Sequence, residues 1–127
     1  MRRPLPIFER HPVAAFSVVR VPFPFSERLA VKRRPAVVLS APSFQVRSGH
    51  VLLAMVTSAE GSAWPLDWPI LDLKQAGLKK PCLIRMKLFT LDERLLLEPL
   101  GQLAQADQEG VARRLAELLA MPRPTAA

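Results

Sequence analysis

The sequence predicts a mainly β domain, a small twisted sheet or barrel, followed by one C-terminal helix. Short apolar segments recur along most of the chain and are separated by proline, glycine and serine, which is typical of small sheets and barrels. Near the end the apolar residues change to helical spacing. With 127 residues, half of them apolar, the chain is large enough for one domain with its own core.

The first two strands are predicted where valine and phenylalanine are concentrated. Residues 16–25 favour a strand, and Pro22 and Pro24 place it at the edge of a sheet or end it. A polar loop at 26–31 follows. Pro35 then opens a second strand that extends to residue 41, because proline biases the residue before it toward extended backbone.

The rest of the chain alternates turn signals with apolar segments. Residues 50–57 are almost wholly apolar, which predicts a buried strand. In the last helix, Val111, Leu115, Leu118 and Leu119 share one face, which is expected to pack on the sheet. The other predicted elements are a turn at 42–49, a loop at 58–68, a short strand at 69–71, a helical turn at 72–78, a strand at 82–89, a short strand at 95–98, and a helix that Asp107 caps and that runs to about residue 120.

Composition predicts one domain at 16–120, an irregular arm at 1–15 and a flexible tail at 121–127. The single cysteine, Cys82, excludes an intramolecular disulfide and a multi-cysteine zinc site. The arginines after Met1 are not followed by the apolar segment of a signal peptide, and no apolar run is long enough to span a bilayer. We therefore expect no membrane association and a cytoplasmic location.

The charge of the chain favours a polyanionic partner. Lysine and arginine number 18 against 11 aspartates and glutamates, a net charge of +7. Such a field attracts RNA, DNA, an acidic membrane surface or an acidic protein, and it is also compatible with a domain that is merely basic. The charge alone does not choose among them.

Most motifs of catalysis and cofactor binding are absent from the sequence. There is no glycine-rich phosphate loop, and His11 and His50 lack the spacing of metal ligands. Cys82 lies in an apolar strand, which predicts an inert core thiol. The carboxylates are scattered. We therefore expect no metal and no cofactor, and a two-metal nuclease is disfavoured.

Cations and hydroxyls do occur at the ends of the predicted strands. Metal-free cleavage of RNA can use them, because the 2′-hydroxyl is the nucleophile while arginine and a hydroxyl stabilise the charge on phosphorus. Each is equally compatible with a solvated cation or a closed turn. The residues are Lys32, Arg33 and Arg34 before the second strand, Thr57 and Ser58 after the third, and Arg85 and Lys87, which share one face of a later strand.

Five segments, taken in order, resemble the MazF/PemK toxins of type II toxin–antitoxin systems, especially the PemK-like branch. They span about residues 16–120. The segments are Val18 to Phe25, Lys32 to Ser40, Val56 to Ser58, Ala76 to Arg85, and Lys87 to Asp92 together with Leu100 to Leu103.

The resemblance implies an SH3-like small β-barrel of the CcdB/MazF type with a C-terminal α-helix, working as a homodimer. It also implies a metal-independent endoribonuclease that cuts single-stranded mRNA at short sequences and leaves 2′,3′-cyclic phosphate and 5′-hydroxyl ends. The expected protein partner is an antitoxin whose acidic C-terminal segment covers the RNA groove.

The resemblance assigns catalysis to Arg34 and Thr57, and it makes Arg85 the second arginine of the family. We expect Lys32, Arg33, Ser58, Arg85 and Lys87 to hold substrate. Trp64 and Trp68, in the loop after Thr57, are expected to stack an unpaired base, with core packing as their alternative.

Three positions depart from the family pattern. Phe16-Ser17 replaces the usual Gly-Asp, Lys87 stands where some members have an aspartate base, and Cys82 replaces a serine. These departures keep two alternatives open. One is a non-catalytic member of the same fold that binds nucleic acid or a protein target such as gyrase, and the other is a basic binding module whose arm recruits an acidic protein.

Overall fold

The computed structural model describes residues 11–24, 32–61 and 63–122. Most of the predicted arm at 1–15, the loop at 26–31 and most of the tail at 121–127 lie outside these residues. The described elements are β1 (Ser17–Phe23), β2 (Lys32–Val38), α1 (Pro42–Ser48), β3 (His50–Ser58), β4 (Trp68–Pro69), β5 (Cys82–Asp92), a 3₁₀ turn (Glu93–Leu95), β6 (Glu98–Gln102) and α2 (Gln105–Leu118).

The strands form one six-stranded antiparallel sheet in the order β4-β5-β3-β2-β1-β6. The sheet is curled, a half-barrel with the helix α2 at the end of the chain. The predicted fold class, mainly β with a C-terminal helix, is confirmed. None of the described helices is long and apolar enough to cross a membrane.

The two faces of the sheet carry separate cores. We call the face covered by α2 the helix face; its buried residues include Val18, Val37, Ala54, Val56 and Ile84, and Val111 of α2 packs on them. The opposite, front face carries the second core, formed by Val13, Val19, Val21, Ala36, Val38, Val51, Leu53, Leu91 and Leu96. Because side chains alternate along a strand, every strand residue can be assigned to one of these faces.

The second strand begins at Lys32, three residues before the predicted start at Pro35. Pro35 is paired with Arg20 of β1, whereas the ladder to β3 begins only at Ala36. A proline is tolerated at this point because one side of the strand has no ladder that needs its missing N–H.

The turn predicted at 42–49 is instead the short helix α1. It ends at Gly49, which has a φ of 71° and caps the helix in the left-handed conformation. Its buried residue is Gln45, whose side-chain oxygen accepts from the Val13 N–H at 2.8 Å and whose amide donates to Glu93 at 2.9 Å. Because this helix of seven residues is held by one buried polar side chain, its sequence shows no apolar periodicity and did not indicate a helix.

The strand predicted at 95–98 lies later in the chain, as β6, because residues 93–95 form the 3₁₀ turn. The Asp92 side chain starts this turn by accepting from the backbone N–H of Arg94 at 2.9 Å. Its side-chain hydrogen bonds with the Arg94 guanidinium lower the pKa of Asp92 to about 2.

Asp107 is not the cap of the last helix. The helix begins at Gln105, two residues earlier, and Asp107 is fully buried. Its carboxylate accepts from Trp68 Nε1 at 2.9 Å, from the Leu71 N–H at 2.8 Å and from the Asp72 N–H at 3.0 Å. The residue therefore ties the 68–72 segment to the helix.

The apolar face of α2 is shorter than predicted. Val111 is buried and Leu115 packs against the helix-face core, but Leu118 and Leu119 are 40% and 48% exposed. The helix ends at Leu118, so its last turn reaches beyond the sheet.

Candidate functional site

The front face is apolar at one end of the sheet and polar at the other. At the apolar end, Val38, Leu53 and Leu91 are buried together. Toward the start of β2 and the end of β3, the same face instead presents Arg34 and Thr57. Strand alternation places them there, because Arg34 is two residues before Ala36 and Thr57 is four residues after Leu53.

Arg34 packs on an aromatic ring. Its guanidinium carbon lies 4.8 Å from the centre of the Phe23 ring, a cation–π arrangement, and no carboxylate of the described residues forms an ion pair with it. Its Nε is buried, and no acceptor in the described part of the chain is within hydrogen-bond distance of it. The arginine therefore keeps donors available for an anion.

The position of Thr57 relative to Arg34 follows from the register of the central strands. β2 and β3 pair Ala36 with Met55 and Val37 with Ala54. Continuing this antiparallel register by two residues sets Arg34 opposite Thr57, both on the front face. The printed pairing ends at Ala36 and Met55, so this register gives the direction of the two side chains: both lie on the front face, beyond the same end of the β2–β3 ladder.

Ser58 and Arg33, the sequence neighbours of Thr57 and Arg34, lie on the opposite face of the sheet. Ser58 alternates to the helix face, is exposed, and accepts the Glu60 N–H on its hydroxyl oxygen at 3.3 Å. Arg33 likewise alternates away from Arg34 and is exposed. Lys32, opposite Phe23 in the register, is on the front face and exposed. Of the predicted cations of this segment, the structure therefore groups Lys32 and Arg34.

Arg85 has a partner that the sequence did not indicate. Its Nε and Nη2 donate to the two carboxylate oxygens of Asp67 at 3.1 and 2.9 Å, and both side chains are only 12% exposed. The register of β4 on β5 pairs Trp68 with Ile84, so Asp67 comes opposite Arg85. The hydrogen bond to Asp67 raises the pKa of Arg85, and Arg85 remains a cation whose charge is compensated locally.

Lys87 lies on the front face, two residues after Arg85, at an irregularity in β5. Arg85 is opposite Met55, but Leu88 is opposite Ala54, which leaves Met86 and Lys87 as extra residues in the strand. Met86 is buried on the helix face, whereas Lys87 is exposed and its Nζ lies 4.2 Å from the centre of the Trp64 ring. Trp64 itself is 41% exposed.

Trp68 and Cys82, by contrast, belong to the structure of the helix face. Trp68 packs on the core there and donates to Asp107. Cys82 packs on the same core, and burial raises the pKa of its thiol, which fits the predicted inert role because the thiolate is the reactive form.

Taken together, the front face carries a row of groups that begins at Phe23 and Arg34, crosses Thr57, and ends at Arg85, Lys87 and Trp64. Such a row of cations, a hydroxyl and exposed aromatic surface is suited to a polyanion with unpaired bases. The family described as "PemK-like, MazF-like toxin of type II toxin-antitoxin system" matches residues 14–119.

The chain belongs to this toxin family. Solved structures agree on the fold. The MazE–MazF complex of Deinococcus radiodurans is 23% identical, with a TM-score of 0.69 over 87% of this chain and 98% of that one. An endoribonuclease bound to its cognate antitoxin, from a mycobacterial species, is 17% identical, with a TM-score of 0.67 over 90% and 99%. No curated protein matches the chain.

In this PemK-like chain, two of the segments that carry the family resemblance meet in space. Gly77 has a φ of +76°, and a side chain there would collide with the backbone of Leu100. A side chain on Gly101 would collide with the backbone of Gln75 and Ala76. The two glycines therefore let the 72–78 turn lie directly on β6, which explains both of these motifs as packing and not as substrate contacts.

The sequence missed one residue of this PemK-like site, Asp67. It lies 18 residues from Arg85, in a loop without a motif. The available signal was the pairing of a two-residue strand, β4, with β5, which cannot be predicted from composition.

Proposed function

We propose that this toxin-family chain is a metal-independent endoribonuclease that cleaves single-stranded mRNA at the polar end of the front face. The observation that carries the proposal is the Arg34 guanidinium, which lies on the Phe23 ring and is unpaired with any carboxylate of the described residues. Thr57 lies on the same face, beyond the same end of the β2–β3 ladder. The match to the toxin family supports it independently of this geometry.

In the proposed reaction, the 2′-oxygen of the RNA loses its proton and bonds to the adjacent phosphorus, and the bond from phosphorus to the 5′-oxygen breaks. The 5′-oxygen takes up a proton, so the products are a 2′,3′-cyclic phosphate and a 5′-hydroxyl. Arg34 stabilises the charge on the phosphorane oxygens, and Thr57 donates a further hydrogen bond. Arginine keeps its proton at neutral pH, so we assign it the electrostatic role.

Asp67 is a carboxylate at one end of this row, but Arg85 and the Trp64 N–H already occupy its oxygens. We therefore assign it no proton transfer.

The partners that we infer are a second copy of the chain and an antitoxin with an acidic segment, which the cations of the front face would attract. Among the similar structures, the MazF of D. radiodurans is paired with MazE and the mycobacterial endoribonuclease with its antitoxin.

The proposal is tested by incubating the purified protein with a long single-stranded RNA in excess EDTA. We expect discrete fragments that end in cyclic phosphate, and no cutting where a 2′-deoxynucleotide replaces the residue before the break. Intact RNA in both EDTA and magnesium would overturn the proposal. Cutting only with magnesium would overturn its metal-independent mechanism.

Thr57→Val removes the hydroxyl while keeping the shape of the side chain. We expect RNA cleavage to slow by about 10- to 100-fold, since a hydrogen bond to a charged group contributes roughly 1.5–3 kcal/mol. Ser58→Ala is the matched control, because that hydroxyl closes a local turn on the other face. Equal rates for the two variants, measured on the same RNA, would remove Thr57 from the site.

A non-catalytic toxin of the same fold is the second candidate. Lys87 in place of an aspartate favours it, because the carboxylate that the described residues place beside Arg85 is Asp67, which is already paired with that arginine. A DNA gyrase supercoiling assay distinguishes the candidates, since only the non-catalytic toxin should inhibit supercoiling while leaving RNA intact.

A further inference from the structure

Trp64 is exposed but is held in one place by its own turn. The Trp64 N–H donates to Asp67 Oδ2 at 3.1 Å, and the Asp67 N–H donates back to the Trp64 carbonyl at 3.2 Å. These reciprocal bonds close the four residues from 64 to 67 into a compact turn. The indole, unlike that of Trp68, is thus presented to solvent from a constrained backbone.

The same carboxylate fastens this turn to the sheet. Asp67 receives two charge-assisted hydrogen bonds from Arg85 on β5, and the pair is largely shielded from water. Bidentate pairs fix orientation as well as distance. Asp67 therefore sets the position of Trp64 relative to the strand that carries Arg85 and Lys87.

Lys87 lies at the ring of Trp64, with its Nζ 4.2 Å from the ring centre. A cation there leaves the indole with exposed surface for a second planar group and supplies a positive charge beside it for a phosphate. An aromatic ring with an adjacent cation is the usual platform for a single-stranded base.

We propose that Trp64 and Lys87 form a subsite for one unpaired nucleobase and its phosphate, and that Asp67 is the positioning residue of this subsite. The proposal deepens the proposed function and rests on it only in placing RNA on the front face. Because the subsite lies across β3 from Arg34, it would bind a nucleotide flanking the scissile phosphate and so contribute to the choice of cleavage sequence.

The first test is the fluorescence of the two tryptophans during titration with an uncleavable 2′-O-methyl RNA oligonucleotide. We expect quenching in wild type and in Arg34→Ala, and none in Trp64→Phe, in which Trp68 is the remaining reporter. Trp64→Ala should weaken binding by roughly 5- to 100-fold, since stacking of one base contributes about 1–3 kcal/mol.

The outcomes separate this subsite from the ribonuclease proposal. Cleavage by wild type without any quenching would overturn the subsite and leave the ribonuclease proposal standing. Quenching without cleavage would overturn the ribonuclease proposal and leave the subsite standing. Quenching by an acidic peptide but not by the oligonucleotide would assign the surface to a protein and overturn the subsite.

The second test addresses Asp67. Asp67→Asn keeps the size of the side chain but weakens the pair with Arg85, so we expect the set of cleavage sites on a long RNA to broaden toward that of Trp64→Ala. Asp72→Asn is the control, since the Asp72 side chain accepts the Gln75 N–H at 3.0 Å in an exposed local turn. Urea unfolding of both variants separates a loss of positioning from a loss of fold. An unchanged pattern of sites in folded Asp67→Asn would overturn the positioning role.

Discussion

Replacing Arg34 with alanine is expected to slow RNA cleavage by at least ~10²-fold, the usual cost of removing a donor that stabilises a transition-state charge. The effect is large because the described part of the front face holds no second uncompensated arginine: Arg85 is already paired with Asp67. The loss should appear in kcat, because the guanidinium contributes most when negative charge grows on the phosphorane oxygens.

Two companion variants make the Arg34 experiment specific. Arg33→Ala removes the neighbouring cation, which alternates to the other face, and should slow cleavage by less than about fivefold by weakening the general positive field. Arg34→Lys keeps the charge but loses the planar fork, so it should recover only part of the rate. If Arg33→Ala and Arg34→Ala cleave equally well, with both proteins folded by circular dichroism, Arg34 has no special role in the reaction.

Asp107→Asn is expected to lower the free energy of unfolding by about 2–4 kcal/mol, with the larger values reflecting an unsatisfied buried group. The carboxylate accepts three hydrogen bonds with its two oxygens. Asparagine offers one oxygen, and its amide nitrogen would face an N–H donor. Urea denaturation monitored by tryptophan fluorescence measures the loss, and Trp68 reports directly on the affected contact.

The control for Asp107 is again Asp72→Asn, which alters an aspartate of the tethered segment whose side chain accepts the Gln75 N–H at the surface. We expect it to change the free energy of unfolding by less than about 0.5 kcal/mol. A stability of Asp107→Asn within that same margin would show that the buried carboxylate is not what joins the 68–72 segment to α2.

Most strands could be predicted because their apolar residues must be buried somewhere. Residues 50–57 are almost wholly apolar, and the strand found there is central in the sheet. The elements that failed depend on polar side chains instead. Gln45 anchors a helix of seven residues. The prediction of Asp107 as a cap is wrong because an aspartate near a helix start has the same local sequence pattern whether its hydrogen-bond partners are within the helix or 35 to 39 residues away.

The candidate site was predictable to a similar degree. Arg34 and Thr57 were found through a family resemblance, and strand alternation with the register of β2 and β3 directs both to the front face, beyond the same end of the ladder. The Asp67–Arg85 pair was not predicted, because it depends on a two-residue strand and a loop that only the tertiary fold brings to β5. Local sequence is enough to predict most strands, whereas the contacts between strand ends depend on the register in which the strands pair.

The two extra residues of β5, Met86 and Lys87, preserve the alternation of side chains between the two faces of the sheet. Since side chains alternate, an insertion of two leaves every later residue on its own face, and Phe89 and Leu91 still point into the front-face core. A slip of one residue in the pairing would instead exchange the two faces. The irregularity therefore adds an exposed lysine to the front face without moving the apolar residues that follow it out of the core.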